Sequence, residues 1–331
     1  MSKTQYSGTT SIAMPVAVWL ASDFYDHSND ANTISVTSLI KPVRQLVLGA
    51  RAKPEDVLID LSSMAASRIG TAIHDSIERS WLFNYAVAMA SLGIPEHVIG
   101  LIRINPDKET LKENPDLIPV YLEQRLNKQV GKYTISGKFD VVMDGKVQDF
   151  KSCKTWTYMN QSNVKKYAQQ GSMYRWLNPE IILQDVVDIH YIFTNWEPTR
   201  AATDEKYPKK PIITQTLNLA SVQETDSFIK QKLNQIDKYM DAPEADIPLC
   251  TDEDLWRSAP VFKYYKNPAK TTRSTKNFDT RQEAYVRMAE DGGVGIVIEQ
   301  PGTVTACKYC QAFSICTQKD ALIAAGDLII N

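Results

Sequence analysis

No run of about 18 consecutive apolar residues occurs in this 331-residue chain, so none of its helices is expected to cross a membrane. A strong charge of either sign is also missing. The formal net charge is -2, which excludes a uniformly basic polyanion binder and leaves nucleic-acid contact to local patches. Cysteine is absent before Cys153. The total of five is odd, and Cys307, Cys310 and Cys316 fall within one stretch of ten residues. That distribution excludes a secreted disulfide framework and points to a metal site in a reducing cytosol. Internal repeats and low-complexity tracts are lacking as well. What remains is ordinary for a soluble globular protein, with 43% apolar and 23% charged residues. The length suffices for one large domain or two ordinary ones.

The short apolar run from Ile12 to Ala21 reads as an amphipathic N-terminal element rather than a secretory signal, because Trp19 and the aspartates after it suit a retained segment. Ser35 to Arg51 predicts a short helix capped by Thr37 or Ser38, with Pro42 marking a kink or a first turn. From Leu61 onward, Ala65, Ile69, Ala72, Ile73, Ile77 and Trp81 recur at helical spacing. Residues 93–120 are rich in Pro, Asn and Gly and read as a connection. Strands are expected from Glu123. Tyr133, Ile135, Phe139, Val141 and Met143 alternate, Asp144-Gly145 signals a hairpin turn, and a further strand covers Val147 to Ser152. A helix is expected over 160–177, a strand over 186–196, a strand over 212–217 and a helix over 221–239. A less regular stretch follows to Asp279, then a helix over 281–289 and a strand over 295–299. A cysteine loop and a short tail helix end the chain.

Counting outward from the Asp144-Gly145 turn, Met143 faces Lys146, Val142 faces Val147, Val141 faces Gln148 and Asp140 faces Asp149. Cross-strand partners share a face with Cβ atoms about 4.5–5.5 Å apart. Two carboxylates that close repel unless a cation lies between them. Oxygen ligands of this kind suit Mg²⁺ or Mn²⁺. Lys151 lies two residues beyond Asp149 and emerges on the same face. A metal and a lysine so arranged can activate water against a phosphate. The competing reading is a surface hairpin with solvated charges. On the upstream helix His74 and Glu78 are i and i+4 and can both lean towards the hairpin. On the downstream helix Gln170 and Tyr174 have the same spacing and could hold a phosphate or a base.

The ordered set Gly70-Thr71 with His74, Gly137 with Asp140, Asp149-Phe150-Lys151, and Gln170 with Tyr174 resembles the RecB-like branch of the PD-(D/E)XK nucleases. The resemblance implies an α/β fold with a central mixed sheet flanked by helices, one or two divalent metals, and hydrolysis of DNA phosphodiester bonds from strand ends, as in phage-encoded exonucleases. By that analogy His74, Asp140, Asp149 and the carbonyl of Phe150 bind Mg²⁺ or Mn²⁺. Lys151 serves the nucleophile, and Glu78 lies behind the first metal or on a second.

Cys307, Cys310 and Cys316 form C-x2-C-x5-C, a spacing that chelates a soft metal, with Cys250 as the fourth ligand. This tail is similar to those of cluster-bearing RecB-like nucleases, including CRISPR-associated spacer-acquisition nucleases and the AddB helicase–nuclease subunit. That similarity implies a [4Fe–4S] cluster, with Zn²⁺ as the alternative. In those families the distant cysteine precedes the nuclease core, whereas Cys250 follows it, and the Pro248 to Trp256 run looks more like phage-encoded RecB-like exonucleases. Cys153 is expected to be merely packed or exposed.

Basic residues Lys151, Lys154, Lys165 and Lys166, with Trp156 and Tyr158 among them, form the patch that could lie along single-stranded DNA or a duplex end. The expected organisation is an N-terminal extension at 1–34, a nuclease core at 35–200, and C-terminal elements at 201–331 that complete the domain and hold the cysteines. The expected setting is the cytoplasm, the host's if the chain is phage-encoded, with phage replication or recombination proteins as possible partners. Two other functions compete: a non-catalytic DNA-binding scaffold that retains the fold, and a nuclease of CRISPR spacer acquisition.

Overall fold

The computed structural model of this chain describes residues 5–22, 30, 32–53 and 58–330. The rest of the 1–34 extension lies outside the described residues. The chain forms two compact units. One comprises Lys3–Ile40 and Leu58–Asn234, the other Met1–Ser2, Lys41–Val57 and Gln235–Asn331. By their contacts, residues 41–57 group with the C-terminal part, and the larger unit extends to Asn234.

The larger unit is built on a six-stranded mixed sheet. In spatial order its strands are Ile212–Asn218, Val186–Phe193, Lys146–Cys153, Val141–Met143, Ile118–Leu122 and Ile102–Ile104. Lys146–Cys153 pairs in parallel with Val186–Phe193 and antiparallel with Val141–Met143. The turn between the last two has Asp144 at φ 52° and Gly145 at φ 66°, the left-handed pair that such a tight turn demands. The observed register is the expected one for Val141 opposite Gln148, Val142 opposite Val147 and Met143 opposite Lys146, but the expected pair of Asp140 with Asp149 lies outside the ladder, because the strand begins at Val141.

The sheet is covered on both faces. On one, Phe150 joins Ile102, Val120, Leu122 and Val141, packed by Trp81, Tyr85 and Met89. On the other lies the helix Val164–Leu177, whose Gly171 sits so close that an added Cβ would come within 3.1 Å of Val187. Each fully buried aliphatic or aromatic side chain in these layers contributes roughly 1.5–3 kcal/mol.

Several expectations are corrected. Residues 93–120 are not a plain connection. They contain the helices Glu96–Leu101 and Lys108–Glu113 and two strands of the central sheet. Proline misled here: Pro95 is the cap of a helix, and Pro119 precedes Val120, where antiparallel pairing begins. The alternating stretch 133–143 is not one strand. Tyr133–Lys138 pairs with Arg125–Val130 and Thr33–Ser35 in a separate three-stranded sheet, and only Val141–Met143 enters the central one. The N-terminal helix splits at Pro42 into Val36–Leu39 and Val43–Arg51, and its cap is Ser35, whose hydroxyl accepts from the Ser38 amide. The helix Met14–Ala21 is not amphipathic, since Ala17 and Leu20 are buried while the equally apolar Met14, Val16, Val18 and Trp19 are exposed.

In the smaller unit, the stretch expected to be irregular contributes Val261–Tyr265 and Lys276–Phe278 to a three-stranded sheet with Ile296–Gln300. The helix Arg281–Glu290 starts with a reciprocal capping box between Thr280 and Glu283. Among the described residues no helix is long and apolar enough to cross a membrane.

Candidate active site and cysteine site

Asp140 sits in the bend where the chain leaves the small sheet and enters the central one, immediately after the fully buried Phe139. Its Oδ2 accepts from the Phe150 amide at 2.9 Å, so it stands beside the strand that carries Asp149 and Lys151. His74 arrives from the helix Ala65–Phe83. Its Nε2 lies 2.9 Å from the Phe150 carbonyl oxygen and its Nδ1 3.3 Å from Asp140 Oδ1. Gly70 on the same helix faces Ser152 Oγ, which an added Cβ would meet at 3.2 Å. The glycine therefore lets the helix approach the strand.

Asp149 is 3% exposed, and its Oδ2 is paired with Lys151 Nζ at 2.6 Å. Burial pushes this carboxyl up to about 6 against the pull of Lys151. Burial also opposes the charge of Lys151, but Asp149 and Asp140 outweigh it and hold the ammonium above its ordinary range. Lys151 Nζ reaches Gln170 Oε1 at 3.5 Å, and Gln170 Nε2 donates to the Tyr174 hydroxyl at 2.7 Å. The ring of Tyr167 lies under the same ammonium, 5.1 Å away.

A residue that the pattern reading missed completes the group. One ligand atom each from His74, Glu123 and Asp140 lie within 4.8 Å of one another. Glu123 has φ 48°, a left-handed conformation costly for a non-glycine residue. It is held there by its amide, which donates to the Asp140 carbonyl at 2.9 Å, and by Lys138 Nζ, 2.5 Å from Oε2. Burial raises its carboxyl, and the charge of Asp140 adds to that, against Lys138. No periodic signal marks Glu123, because it lies just past the strand Ile118–Leu122, where a strand was expected to begin. Together, imidazole nitrogen, backbone carbonyl and the carboxylate oxygens of Glu123 and Asp140 form a mostly oxygen donor set, while Asp149 stays paired with Lys151 beside it. The residues fit Mg²⁺ or Mn²⁺.

His74, Glu123, Asp140, Lys151, Gln170 and Tyr174 all line one cavity of 370 Å³. Glu78 does not line it, and neither do Lys154 and Lys165, which are exposed at the starts of two helices. Phe150 contributes its backbone only, since its ring stacks on His190 at 5.2 Å across the opposite face of the sheet. Cys153 lies apart from the cysteine tail in sequence and unit, and burial pushes its thiol up to about 11.

In the smaller unit, Cys250, Cys307, Cys310 and Cys316 line a single cavity with Arg44 and Lys319. Arg44 is 3% exposed. It pairs with Glu244, donates to the Ile247 carbonyl at 3.1 Å, and its Nε lies 3.4 Å from Cys316 Sγ. Gln318 accepts from the Cys250 amide and donates to its carbonyl, each at 2.9 Å. Burial, followed by the nearby Asp254, Cys316 and Cys310, pushes the Cys250 thiol up to about 12. Four cysteines and two cations thus line one cavity, although their sulfurs are not drawn together within 4.8 Å as the His74, Glu123 and Asp140 ligand atoms are.

No protein-family profile matches this chain, and neither does any curated protein. Among solved structures it is similar to the crystal structure of SSO0001, at 16% identity over 71% of this chain and 90% of that one, with a TM-score of 0.40. It is also similar to a phage related exonuclease from Haemophilus somnus 129PT, at 16% identity over 51% of this chain and 80% of that one, TM-score 0.25. A third is an alkaline exonuclease from Laribacter hongkongensis, at 10% identity over 63% of this chain and 90% of that one, TM-score 0.28.

Proposed function

We propose that this protein is a DNA nuclease of the RecB-like PD-(D/E)XK type, dependent on Mg²⁺ or Mn²⁺ and working from strand ends in phage-type DNA degradation, replication or recombination. The observation that carries this is the convergence of His74, Asp140, the Phe150 carbonyl and Glu123 beside the buried Asp149–Lys151 pair. His74, Asp140, Asp149 and the Phe150 carbonyl would hold the ion, and Glu123 adds a carboxylate at its edge. A divalent cation there supplies Lewis-acid polarisation of a phosphate oxygen and acidification of water. Lys151, kept cationic, can donate to the attacking water or to the phosphate as negative charge builds on it. Gln170 limits where the ammonium can point, and Tyr174 fixes Gln170. The partly enclosed cavity reduces solvent screening of these charges.

The four cysteines would hold an iron–sulfur cluster or a zinc ion that pins the tail segment to the region around Cys250. Support comes from their shared cavity and from the two cations lining it. Iron and zinc analysis with a visible absorption spectrum of protein purified without oxygen separates the two.

The activity test uses end-labelled linear and circular DNA, single- and double-stranded, with Mg²⁺ or Mn²⁺, beside Lys151→Ala. Loss of linear DNA with survival of circles, and a loss of about 10²-fold or more in the variant, is the expected result. Cutting of circles would make it an endonuclease at the same site. A wild type with a filled cysteine site that cuts nothing with either metal would leave the scaffold reading in its place.

A further inference from the structure

We infer that the cavity at the metal-binding residues continues into a nucleobase subsite whose stacking face is the indole of Trp19. The inference rests on the nuclease reading and adds what the site grips next to the phosphate.

The cavity's 370 Å³ falls within the roughly 300–1,000 Å³ that encloses small ligands. His74, Glu123, Asp140 and Lys151 line it, and so does Trp19. A strand whose phosphate lies at the metal-binding residues must place an attached base within the length of one nucleotide. Among the described residues, Tyr174 and Trp19 are the phenol and indole side chains that line the space. Tyr174 is 3% exposed and committed through its hydroxyl to Gln170. Trp19 is 42% exposed.

The local structure explains why an indole stays there instead of folding into the core. The helix Met14–Ala21 buries Ala17 and Leu20 against Leu61, with Tyr6, Ile12, Met64 and Ala65 packed around them. Trp19 lies off that buried side. The end of the helix is fastened twice. The Ser22 amide and hydroxyl both donate to the Val18 carbonyl, and Arg68 Nε donates to the Leu20 carbonyl at 3.0 Å. Arg68 belongs to the same helix as His74. The stacking face and the imidazole are therefore carried on one connected frame. An aromatic plane held rigid beside a phosphate site is the arrangement that grips single-stranded nucleic acid without reading its sequence, because every base presents a π-face. The occupant is accordingly a base of a single strand or of a frayed duplex end.

The test compares wild type, Trp19→Phe and Trp19→Ala on single-stranded oligonucleotides carrying 2-aminopurine at successive positions from the end, with Ca²⁺ to hold the complex without turnover. Quenching is expected at one position with wild type and Trp19→Phe and is lost with Trp19→Ala. In Mg²⁺, Trp19→Ala should raise KM about tenfold, more than it lowers kcat. Removing the base at the quenched position should reproduce the penalty in wild type and add none to Trp19→Ala. If wild type cleaves and Trp19→Ala matches it in KM, or if base removal costs both proteins equally, the subsite is wrong while the nuclease reading survives. If wild type neither binds nor cleaves DNA, both fall together.

Discussion

His74 turns one ring nitrogen towards each of two acceptors, Nε2 to the Phe150 carbonyl at 2.9 Å and Nδ1 towards Asp140 Oδ1 at 3.3 Å. A neutral imidazole has only one N–H, so both contacts are satisfied together only by the imidazolium. Burial works against that charge, but the hydrogen bond and charge of Asp140 outweigh it, and the net shift is upward. A cation placed between these groups meets the same atoms as ligands and must expel the proton first.

This makes ion binding pH-dependent with a defined sign. His74 is raised above its ordinary value and Asp149 is raised to about 6. Both groups therefore hold protons at higher pH than usual, and Mn²⁺ affinity should fall as pH drops from 8 to 5. Binding near pH 6 should release protons, seen in calorimetry as a heat that changes with the buffer's ionisation enthalpy. The acid limb of the activity profile should move to lower pH as the metal concentration rises, because mass action opposes protonation. An affinity constant between pH 5 and 8, with no proton release, would remove His74 and Asp149 from the ligand set.

Glu123 allows backbone strain to be separated from side-chain function. Its φ of 48° disfavours any residue with a Cβ. Glu123→Ala and Glu123→Gly lose the same carboxylate and the same Lys138 contact, but only glycine accepts the left-handed conformation freely. Glu123→Gly should therefore be more stable than Glu123→Ala by about 0.5–1 kcal/mol in urea unfolding. Both should weaken Mn²⁺ binding equally. Equal stabilities would mean that the backbone relaxes in the alanine variant.

The contrast between Glu123 and its neighbours shows which parts of the site the amino-acid pattern could carry. Asp149, Lys151 and the hairpin register follow from local rules, since a two-residue Asp-Gly turn sets which positions face each other. His74 follows from a helical period long enough to assign a face. Glu123 obeys neither rule. It is brought to Asp140 by a strand that pairs with distant residues, and its conformation is imposed by that pairing. Glu78 shares the face of His74 by spacing, yet the helix runs past the cavity and carries it beyond the lining. The change of sheet at Phe139–Asp140 was equally hidden, because alternation continues through it and says nothing about which neighbour each half pairs with.

Gly137 tests whether the second layer behind Lys151 is tightly packed. A Cβ there would come within 2.7 Å of Leu177 Cδ1, 2.8 Å of Val36 Cγ2 and 3.1 Å of Tyr174 Cε1. Three side chains would have to move, and one of them carries the hydroxyl that holds Gln170. Gly137→Ala should cost about 1–3 kcal/mol of stability, the usual range for overpacking. It should also lower kcat, because displacing Tyr174 loosens Gln170 and with it Lys151. A variant that loses stability but keeps full kcat in Mg²⁺ would show that the Tyr174–Gln170 contact does not govern the lysine.

Arg44 plays the corresponding part at the cysteines. Its guanidinium is nearly inaccessible, pairs with Glu244, donates to the Ile247 carbonyl and lies 3.4 Å from Cys316 Sγ. Glu244 in turn accepts from the Thr317 amide at 2.7 Å, at the first residue of the tail helix. One ion pair thus joins the helix Val43–Arg51, the segment before Cys250 and the residue after Cys316. Arg44→Ala leaves the partly exposed Glu244 carboxylate without its counter-ion and removes the buried guanidinium's hydrogen bonds, which should cost about 1–3 kcal/mol. Arg44→Ala with Glu244→Ala removes both charges and should recover part of that loss, whereas neither variant restores the N–H near Cys316. Metal content then separates the roles of the arginine. If packing alone holds the cysteine site together, the double variant regains iron or zinc along with stability. If the contact to Cys316 matters, the double variant refolds but stays depleted of metal.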